Sequence, residues 1–262
     1  MLFRSGVVGY KTHAKLLLIV RRKAGALCRY AHLSTGNYHQ VSSRLYTDIG
    51  LMTADADICE DVGRIFRQLC SLGPVIELHQ LLESPFSLHR GLLNLIDREI
   101  AHAQAGQPAR IVARVNALND SSMVEALYRA SRAGVDIDLI VRGACMLRPG
   151  IPDVSDRIRV RSILGRFLEH GRVYWFANGG NAELYCSSAD WMERNLMRRV
   201  EACFPVRDAK LASRIFQEAL ENYLRDHVHA WLVDSKGEYR LATPDCAAPH
   251  SAQDWLLTRY GS

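Results

Sequence analysis

Two histidines of this sequence each stand two residues before a cation and open a similar succession of segments. His13-Ala14-Lys15 precedes an apolar strand, a turn, a second strand and the hydroxyl-rich Ser34–Asn37. His170-Gly171-Arg172 precedes the same succession, which closes with Ser187–Asp190. We interpret the two stretches as an internal repeat.

The repeated pattern suits the transfer of a phosphoryl group. Residues i and i+2 of a strand share a face, so Lys15 should lie beside His13 and Arg172 beside His170. A neighbouring cation favours the neutral, nucleophilic imidazole and also binds a phosphate oxygen. If the two units face each other, one imidazole attacks phosphorus and the other acts on the leaving or incoming oxygen. An isolated His-x-Lys is more often structural, so this interpretation rests on the repeat.

Strand-like and helix-like patterns alternate along the chain and predict an α/β fold. The succession of Arg110–Val115, Ser121–Ala133 and Val135–Val141 indicates a βαβ unit, and hence a largely parallel sheet covered by helices. Periodicity predicts further strands and helices in both halves. The strands are Leu16–Val20, Arg29–Leu33, Ile158–Ile163, Arg172–Phe176, Glu183–Ser187 and Val200–Val206, and the helices are Asp55–Leu72, Phe86–Ala105 and Lys210–Arg225.

Two breaker pairs divide the chain. Gly73-Pro74 and Ser84-Pro85 bracket a short connector. We therefore expect a first domain over residues 1–80 and a second over residues 81–243. Residues 244–262 are polar, and we expect them to form a loose tail.

Composition narrows the class of protein. The 262 residues are 48% hydrophobic and carry a formal net charge of +5. This charge favours an anionic partner, although an ordinary solvated surface explains it equally well. The seven cysteines include no C-x-x-C pair, which argues against a disulfide framework or a zinc site and fits a reducing cytosol. No apolar run approaches the about 20 residues of a membrane-spanning helix.

Several segments, in this order, resemble motifs of the polyphosphate kinase family, whose catalytic domains have a phospholipase D-like fold. The resemblance covers nearly the whole chain. It implies an α/β fold of two phospholipase D-like subdomains, with mixed, largely parallel sheets flanked by helices and an active site between them. The matching segments are Gly9–Lys15, His32–His39, Arg44–Asp48, Leu139–Gly143, Phe167–His170, Ser187–Met192 and Arg198–Glu201.

The resemblance also implies roles for individual residues. It makes His13 the histidine that becomes phosphorylated and His170 its acid–base partner in catalysis. Tyr46, Arg142 and His170 match positions that contact ATP, and Arg199 matches a phosphate-binding position. The residue patterns by themselves agree for the two histidines and for Arg142, whereas the pattern around Tyr46 is typical of a core residue.

The implied reaction is reversible transfer of the γ-phosphoryl group of ATP to inorganic polyphosphate, through phosphohistidine and with Mg²⁺. Lys15 and Arg172 are expected to add charge that binds ATP and phosphate. The implied partners are ATP, ADP and polyphosphate, without nucleic acid. The complete enzyme is expected to be a homo-oligomer in the cytoplasm, or peripheral to the membrane.

Two departures from the motifs bear on activity. The aspartate that follows the lysine in phospholipase D signatures is replaced by Val20 and, in the second repeat, by Ala177, which disfavours a phosphodiesterase. The family's N-terminal domains, the opening of its first catalytic domain and its magnesium-site arginines would lie before Met1. We therefore expect a fragment, truncated in its first subdomain, without metal ligands and inactive in isolation. A phospholipase D-like phosphodiesterase and a non-catalytic polyphosphate-binding remnant are the alternatives.

Overall fold

The computed structural model describes residues 9–70, 75–243 and 248–261. Within them, strands and helices alternate as the sequence predicts. The strands are β1 (Lys11–Thr12), β2 (Lys15–Lys23), β3 (Ala26–Ser34), β4 (Tyr46–Thr47), β5 (Gly50–Thr53), β6 (Leu82–Ser84), β7 (Arg110–Val115), β8 (Asp136–Val141), β9 (Ile158–Ile163), β10 (Leu168–Glu169), β11 (Arg172–Phe176), β12 (Glu183–Ser187), β13 (Arg199–Pro205), β14 (Ala230–Val233) and β15 (Tyr239–Leu241). The helices are α1 (Ala56–Cys70), α2 (Leu88–Gln104), α3 (Ser121–Arg132), α4 (Glu193–Met197), α5 (Ala209–Phe216), α6 (Asn222–Leu224) and α7 (Ala252–Tyr260).

Ten of the described strands form one mixed sheet. Along its main path the order is β1-β13-β12-β11-β7-β8-β9-β14-β15, and β6 pairs with a further stretch of β13. The predicted βαβ unit is confirmed, because β7 and β8 are parallel and α3 connects them. Strand β1, which comes before α1 in sequence, pairs with β13 through Lys11 opposite Arg199. The residues around His13 are therefore attached to a strand of the second repeat.

The large sheet is less parallel than the sequence patterns predicted. Among the described strands antiparallel pairings predominate; β11, for example, is antiparallel to both β7 and β12. Residues 177–182, between β11 and β12, reverse the chain in a short turn, with Asn178 and Gly179 at φ 47° and 61°. A connection of this length cannot hold the crossover helix that parallel neighbours need.

Two smaller sheets carry the first repeat. Strands β2, β3 and β5 form an antiparallel sheet in which Leu33 lies opposite Leu16 and Leu51. Strand β2 runs to Lys23, further than predicted, and turns at Ala24-Gly25. The second small sheet pairs β4 with β10 in parallel, and so joins the first repeat to the residues just before His170.

Alternate residues of the central strands face two cores. Ile111 and Ala113 of β7 belong to the core that includes α2 and α3, whereas Val112 belongs to the core on the opposite face. The second core also contains Leu33 of β3 and Ile65 of α1. Both parts of the chain thus contribute to one core. The predicted breaker Gly73-Pro74 lies outside the described residues.

The C-terminal region corrects a prediction. Residues 252–260, expected in a loose tail, form α7, and Ser251 caps its N-terminus. Ala252 and Gln253 are buried, and the backbone N–H of Ala252 donates to Asp226 Oδ2 at 2.7 Å. Only the first residues of α7 are buried, so the polar composition of this segment did not indicate a helix. Residues 244–247 lie outside the described residues.

The predicted helix over 210–225 is interrupted. It consists of α5, a π-helical turn at Gln217–Glu221 and α6. Leu211 is 40% exposed, whereas Leu220 is fully buried. None of the helices in the described ranges is long and apolar enough to cross a membrane.

We predict that Asp61→Ala lowers the free energy of unfolding by about 3 kcal/mol, because several buried backbone N–H groups would be left without an acceptor. Asp61 on α1 is fully buried, and it accepts from the N–H groups of His79, Gln80 and Leu81 at 2.6–3.0 Å. Chemical denaturation measures the change. Glu60→Ala on the same helix is the control, since the Glu60 side chain is 45% exposed and its ion pair with Arg64 should contribute less than about 1 kcal/mol. Equal losses in the two variants would contradict the prediction.

Candidate active site

The two histidines of the repeat are each bound by a carboxylate of the other repeat. His13 Nδ1 lies 2.9 and 2.8 Å from the two carboxylate oxygens of Glu201. His170 Nδ1 lies 2.9 and 3.0 Å from the oxygens of Asp48. The two units therefore meet at one site, as the repeat predicted, and each supplies the residue that orients the other's imidazole.

The carboxylates are held by a matching set of hydroxyl groups. Thr35 Oγ1 donates to Asp48 Oδ1 at 2.7 Å, and Ser188 Oγ donates to Glu201 Oε2 at 2.5 Å. In both repeats the carboxylate follows the hydroxyl residue by 13 positions. Asn195 Nδ2 adds a further donor to Glu201, at 2.7 Å. These hydrogen bonds hold the carboxylates in a fixed orientation toward the histidines.

Backbone pairing explains why the two hydroxyl groups point alike. The N–H of Thr35 donates to Ile49 O, and the N–H of Ile49 donates back to Thr35 Oγ1, each at 3.0 Å. In the second repeat, Ser188 and Ala202 exchange the same two hydrogen bonds, at 3.0 and 3.1 Å. The repeat thus extends to individual hydrogen bonds.

The cation of the first repeat is buried beside its histidine. Lys15 is 5% exposed, and its Nζ lies 2.9 Å from His13 Nε2. Burial lowers the pKa of Lys15 to about 8; Glu201 and Asp48 oppose this shift, and Arg172 and Arg199 add to it. No salt bridge joins Lys15 to a carboxylate in the described part of the chain. Its positive charge is therefore available to an anionic ligand.

The cation of the second repeat is neutralised. Arg172 is 4% exposed and forms a two-point ion pair with Asp190, at 3.0 and 3.2 Å. Its Nη1 also donates to the backbone oxygens of His170 and Thr35, at 2.9 and 3.2 Å. Asp190 corresponds to Asn37 in the first repeat, which carries no charge. Arg172 is thus a fixed structural cation beside His170.

The hydrogen bonds define which ring nitrogens can react. A proton on His13 Nδ1 is donated to Glu201, and this leaves the lone pair on Nε2 beside Lys15. The same reasoning places the His170 proton on Nδ1, toward Asp48. Burial lowers the pKa of His170, with Arg172 adding to this shift and Asp48 opposing it. The lowered pKa favours the neutral imidazole of His170.

The three remaining candidates lie on different sides of the site. The Tyr46 ring lies 5.0 Å from that of His170, centroid to centroid. Arg142 Nη1 donates to Glu169 O at 3.0 Å, and burial lowers the pKa of Arg142. Arg199 opens β13 and is close enough to contribute to the lowered pKa of Lys15. Tyr46 and Arg142 thus flank His170, whereas Arg199 is on the side of His13.

Sequence reasoning gave no role to three carboxylates that organise the site: Asp48, Asp190 and Glu201. The matched spacing from hydroxyl to carboxylate was the available signal. It was hidden because the two carboxylates differ in type and follow loops of different sequence. Trp191 is fully buried against the Tyr174 ring.

A cavity of about 740 Å³ lies behind Tyr46, Thr47 and Asp48, and residues of α5 and α7 form its opposite wall. The two histidines do not line it. No group of three or more His, Cys, Asp or Glu side chains in the described ranges is placed to hold a metal ion. Asp48, Asp190 and Glu201 are bonded to a histidine or an arginine, so the residues present do not fit a resident Mg²⁺ site.

Comparison with known proteins places this arrangement in a family. Residues 3–75 match the family model for polyphosphate kinase C-terminal domain 1, and residues 81–253 match that for C-terminal domain 2. Polyphosphate kinase of Xylella fastidiosa (strain 9a5c) is 60% identical over 253 residues, which cover 96% of this chain and 36% of the relative. That of Pseudomonas aeruginosa is 55% identical over 255 residues, covering 97% and 37%.

A solved structure agrees. The crystal structure of polyphosphate kinase from Porphyromonas gingivalis superposes with a TM-score of 0.90 at 39% identity, over 96% of this chain and 39% of that one. This match confirms the fold class expected from the sequence. The chain spans little more than a third of the length of these relatives. With both family models and the superposition covering its length, the chain belongs to the polyphosphate kinase family.

Proposed function

We propose that this chain carries the phosphoryl-transfer site of a polyphosphate kinase. The site would move the γ-phosphoryl group of ATP to the end of a polyphosphate chain, reversibly, through a phosphohistidine at His13. The observation that carries this proposal is the crossed pair of histidine–carboxylate contacts, because it prepares two imidazoles at one site. Membership of the family supplies the identity of the substrates.

In the first step, the lone pair of His13 Nε2 attacks the γ-phosphorus of ATP. The nitrogen–phosphorus bond forms as the bond from that phosphorus to the bridging oxygen breaks, and ADP leaves with the electron pair. The Nδ1 proton stays between His13 and Glu201, whose negative charge offsets the charge that develops on the ring. Lys15 Nζ, 2.9 Å from Nε2, turns to an oxygen of the transferred group.

In the second step, a terminal oxygen of polyphosphate attacks the same phosphorus. The nitrogen–phosphorus bond breaks, its electron pair returns to His13 Nε2, and the polyphosphate is one unit longer. His170, oriented by Asp48 with its proton on Nδ1, accepts the proton of the incoming terminal phosphate at Nε2 and returns it in the reverse reaction. Arg142 and Tyr46 contact the nucleotide, and Arg199 binds phosphate beside His13.

The charge for this reaction comes mainly from cations with no full counter-charge, above all Lys15. Phosphoryl transfer depends on positioning and on electrostatic stabilisation of the moving group. Mg²⁺ bound by ATP phosphates would add to that charge, in keeping with its usual binding through substrate phosphates. The described residues offer no ligand set of their own for this ion.

We predict that His13→Gln abolishes the phosphoenzyme. The test uses a chimera in which this chain replaces the matching region of a 60%-identical relative, incubated with γ-labelled ATP. Wild type should acquire an acid-labile, base-stable label on the protein, and His13→Gln should acquire none, since the attacking nitrogen is gone. His79→Gln, at an exposed histidine, is the matched control and should label normally. Label retained in His13→Gln would refute the assignment; binding of polyphosphate without any label in wild type would favour a non-catalytic role.

We predict that His170→Gln lowers turnover of the same chimera by roughly 10²–10⁴-fold, the range typical of a lost acid–base group. Steady-state rates of polyphosphate synthesis at saturating ATP measure this loss. A rate within about threefold of wild type would limit His170 to a structural role.

We predict that affinity of the chain for inorganic tripolyphosphate falls as pH rises through about 8, the pKa of Lys15. Below this pKa the side chain is a buried ammonium that attracts the anion, and above it a neutral amine. Calorimetric titrations at a series of pH values measure the effect. In Lys15→Arg the affinity should not fall near that pH, because a guanidinium stays charged. A wild-type affinity that does not fall in this pH range would contradict the role of Lys15.

A further inference from the structure

Next to the histidine site, the structure contains a buried polar network to which no function has been assigned. Glu169 and Arg114 are 3% and 4% exposed and form an ion pair. Thr47 Oγ1 donates to Glu169 Oε2 at 2.7 Å and accepts from Arg114 Nη2. Gln253, 2% exposed, donates through Nε2 to Glu169 Oε1. Three side chains, from β4, β7 and α7, thus converge on the carboxylate of Glu169 in β10.

The network ends at the backbone of the segment that leads into His170. Gln253 binds both backbone groups of Phe167: its Nε2 donates to Phe167 O, and its Oε1 accepts from Phe167 N–H, each at 2.9 Å. Thr47 Oγ1 also accepts from the N–H of His170, at 3.4 Å. Side chains therefore fix residues 167–170, although β10 itself is only two residues long.

The same segment locates the candidate nucleotide contacts. Arg142 Nη1 donates to the backbone oxygen of Glu169 at 3.0 Å, so the position of that peptide orients the guanidinium. Tyr46 precedes Thr47 in β4 and lies opposite Leu168 in β10. A displacement of residues 167–170 would move His170, Arg142 and Tyr46 together.

The far end of the network is anchored in the C-terminal helix. The N–H of Ala252 donates to Asp226 Oδ2 at 2.7 Å, and Asn222 Nδ2 donates to Ala252 O at 3.0 Å. Arg114 lies over the Tyr223 ring, 4.2 Å from its centroid. The start of α7 is thus held against α6 and cannot shift independently. Arg114, Thr47 and Gln253 also line the 740 Å³ cavity, so the network forms part of the wall behind Tyr46.

We propose that Gln253, Glu169 and Thr47 are positioning residues, which hold residues 167–170 so that His170, Arg142 and Tyr46 meet one nucleotide. This proposal rests on the proposed function for its substrate. None of the three residues reaches the histidines' reactive nitrogens. They act through backbone hydrogen bonds, and Glu169 brings its charge only as the partner of Arg114. Truncating Glu169 or Arg114 would leave a buried charge unpaired and threaten folding, whereas Gln253 and Thr47 are neutral and suit substitution.

The first experiment measures kinetics of the chimera described above. Gln253→Leu should raise the KM for ATP at least about tenfold, with a smaller change in kcat, because misplaced contacts weaken nucleotide binding first. Thr47→Val should act in the same direction, and Thr47→Ser, which keeps the hydroxyl, should restore the wild-type KM. Gln104→Leu, at an exposed glutamine that ends α2, is the matched control and should leave the KM unchanged.

The second experiment does not depend on activity. The chain is labelled with ¹⁵N at histidine, and imidazole resonances are assigned with His13→Gln and His170→Gln. Gln253→Leu and Thr47→Val should shift the resonances of His170 and leave those of His13 in place. Should Gln253→Leu fail to fold, the comparison of Thr47→Val with Thr47→Ser tests the proposal by itself. Absence of phosphoenzyme in the wild-type chimera would refute the proposed function alone, and the resonances would still test positioning.

Two results would overturn the positioning role. One is a KM for ATP within about twofold of wild type in both Gln253→Leu and Thr47→Val, with unchanged His170 resonances. The other is an equal shift of the His13 and His170 resonances, which would indicate general loosening of the fold.

Discussion

Each imidazole of the site is oriented by a carboxylate that the other repeat supplies. The rest of the structure keeps these crossed contacts in place. The Glu201 side chain is fully buried, and that of Asp48 is 21% exposed. Ionised carboxylates in such places are costly unless several donors bind them. The histidine, the hydroxyl and, for Glu201, the amide of Asn195 meet this requirement. The same contacts therefore orient the imidazoles and stabilise the buried carboxylates.

Crossed contacts of this kind require the two parts of the chain to be joined rigidly. The shared core, in which Leu33 and Ile65 lie with Val112 and Phe204, provides the apolar part of that joint. The pairing of β1 with β13 and of β4 with β10 provides the backbone part. His13 follows the first of these pairings, and His170 follows the second. The reactive groups thus sit where the two parts are fastened, and movement between the parts would separate each histidine from its carboxylate.

The sequence was informative wherever a local pattern carries the structure. Strand β9, with alternating branched residues, was predicted to the residue, and His13 and His170 were recognised because each opens a repeat. What could not be predicted depends on contacts between residues far apart in the chain. Glu201 reaches His13 across 188 positions, and Gln253 reaches Glu169 across 84. The antiparallel order of the large sheet belongs to the same class, because periodicity within a strand does not encode its neighbour.

The two units are alike in hydrogen bonding and unlike in charge, and this difference supports distinct roles for the histidines. In the second repeat Asp190 forms an ion pair with Arg172, and burial, with Arg172 adding to the shift, lowers the pKa of His170. In the first repeat the uncharged Asn37 takes the place of Asp190, and Lys15, beside His13 Nε2, is influenced by Glu201 and Asp48 but forms no salt bridge with a carboxylate of the described residues. An incoming phosphate would be drawn to the unbalanced side, because low dielectric strengthens attraction to a buried cation. The proposed roles, nucleophilic attack by His13 and proton transfer by His170, agree with this asymmetry of charge.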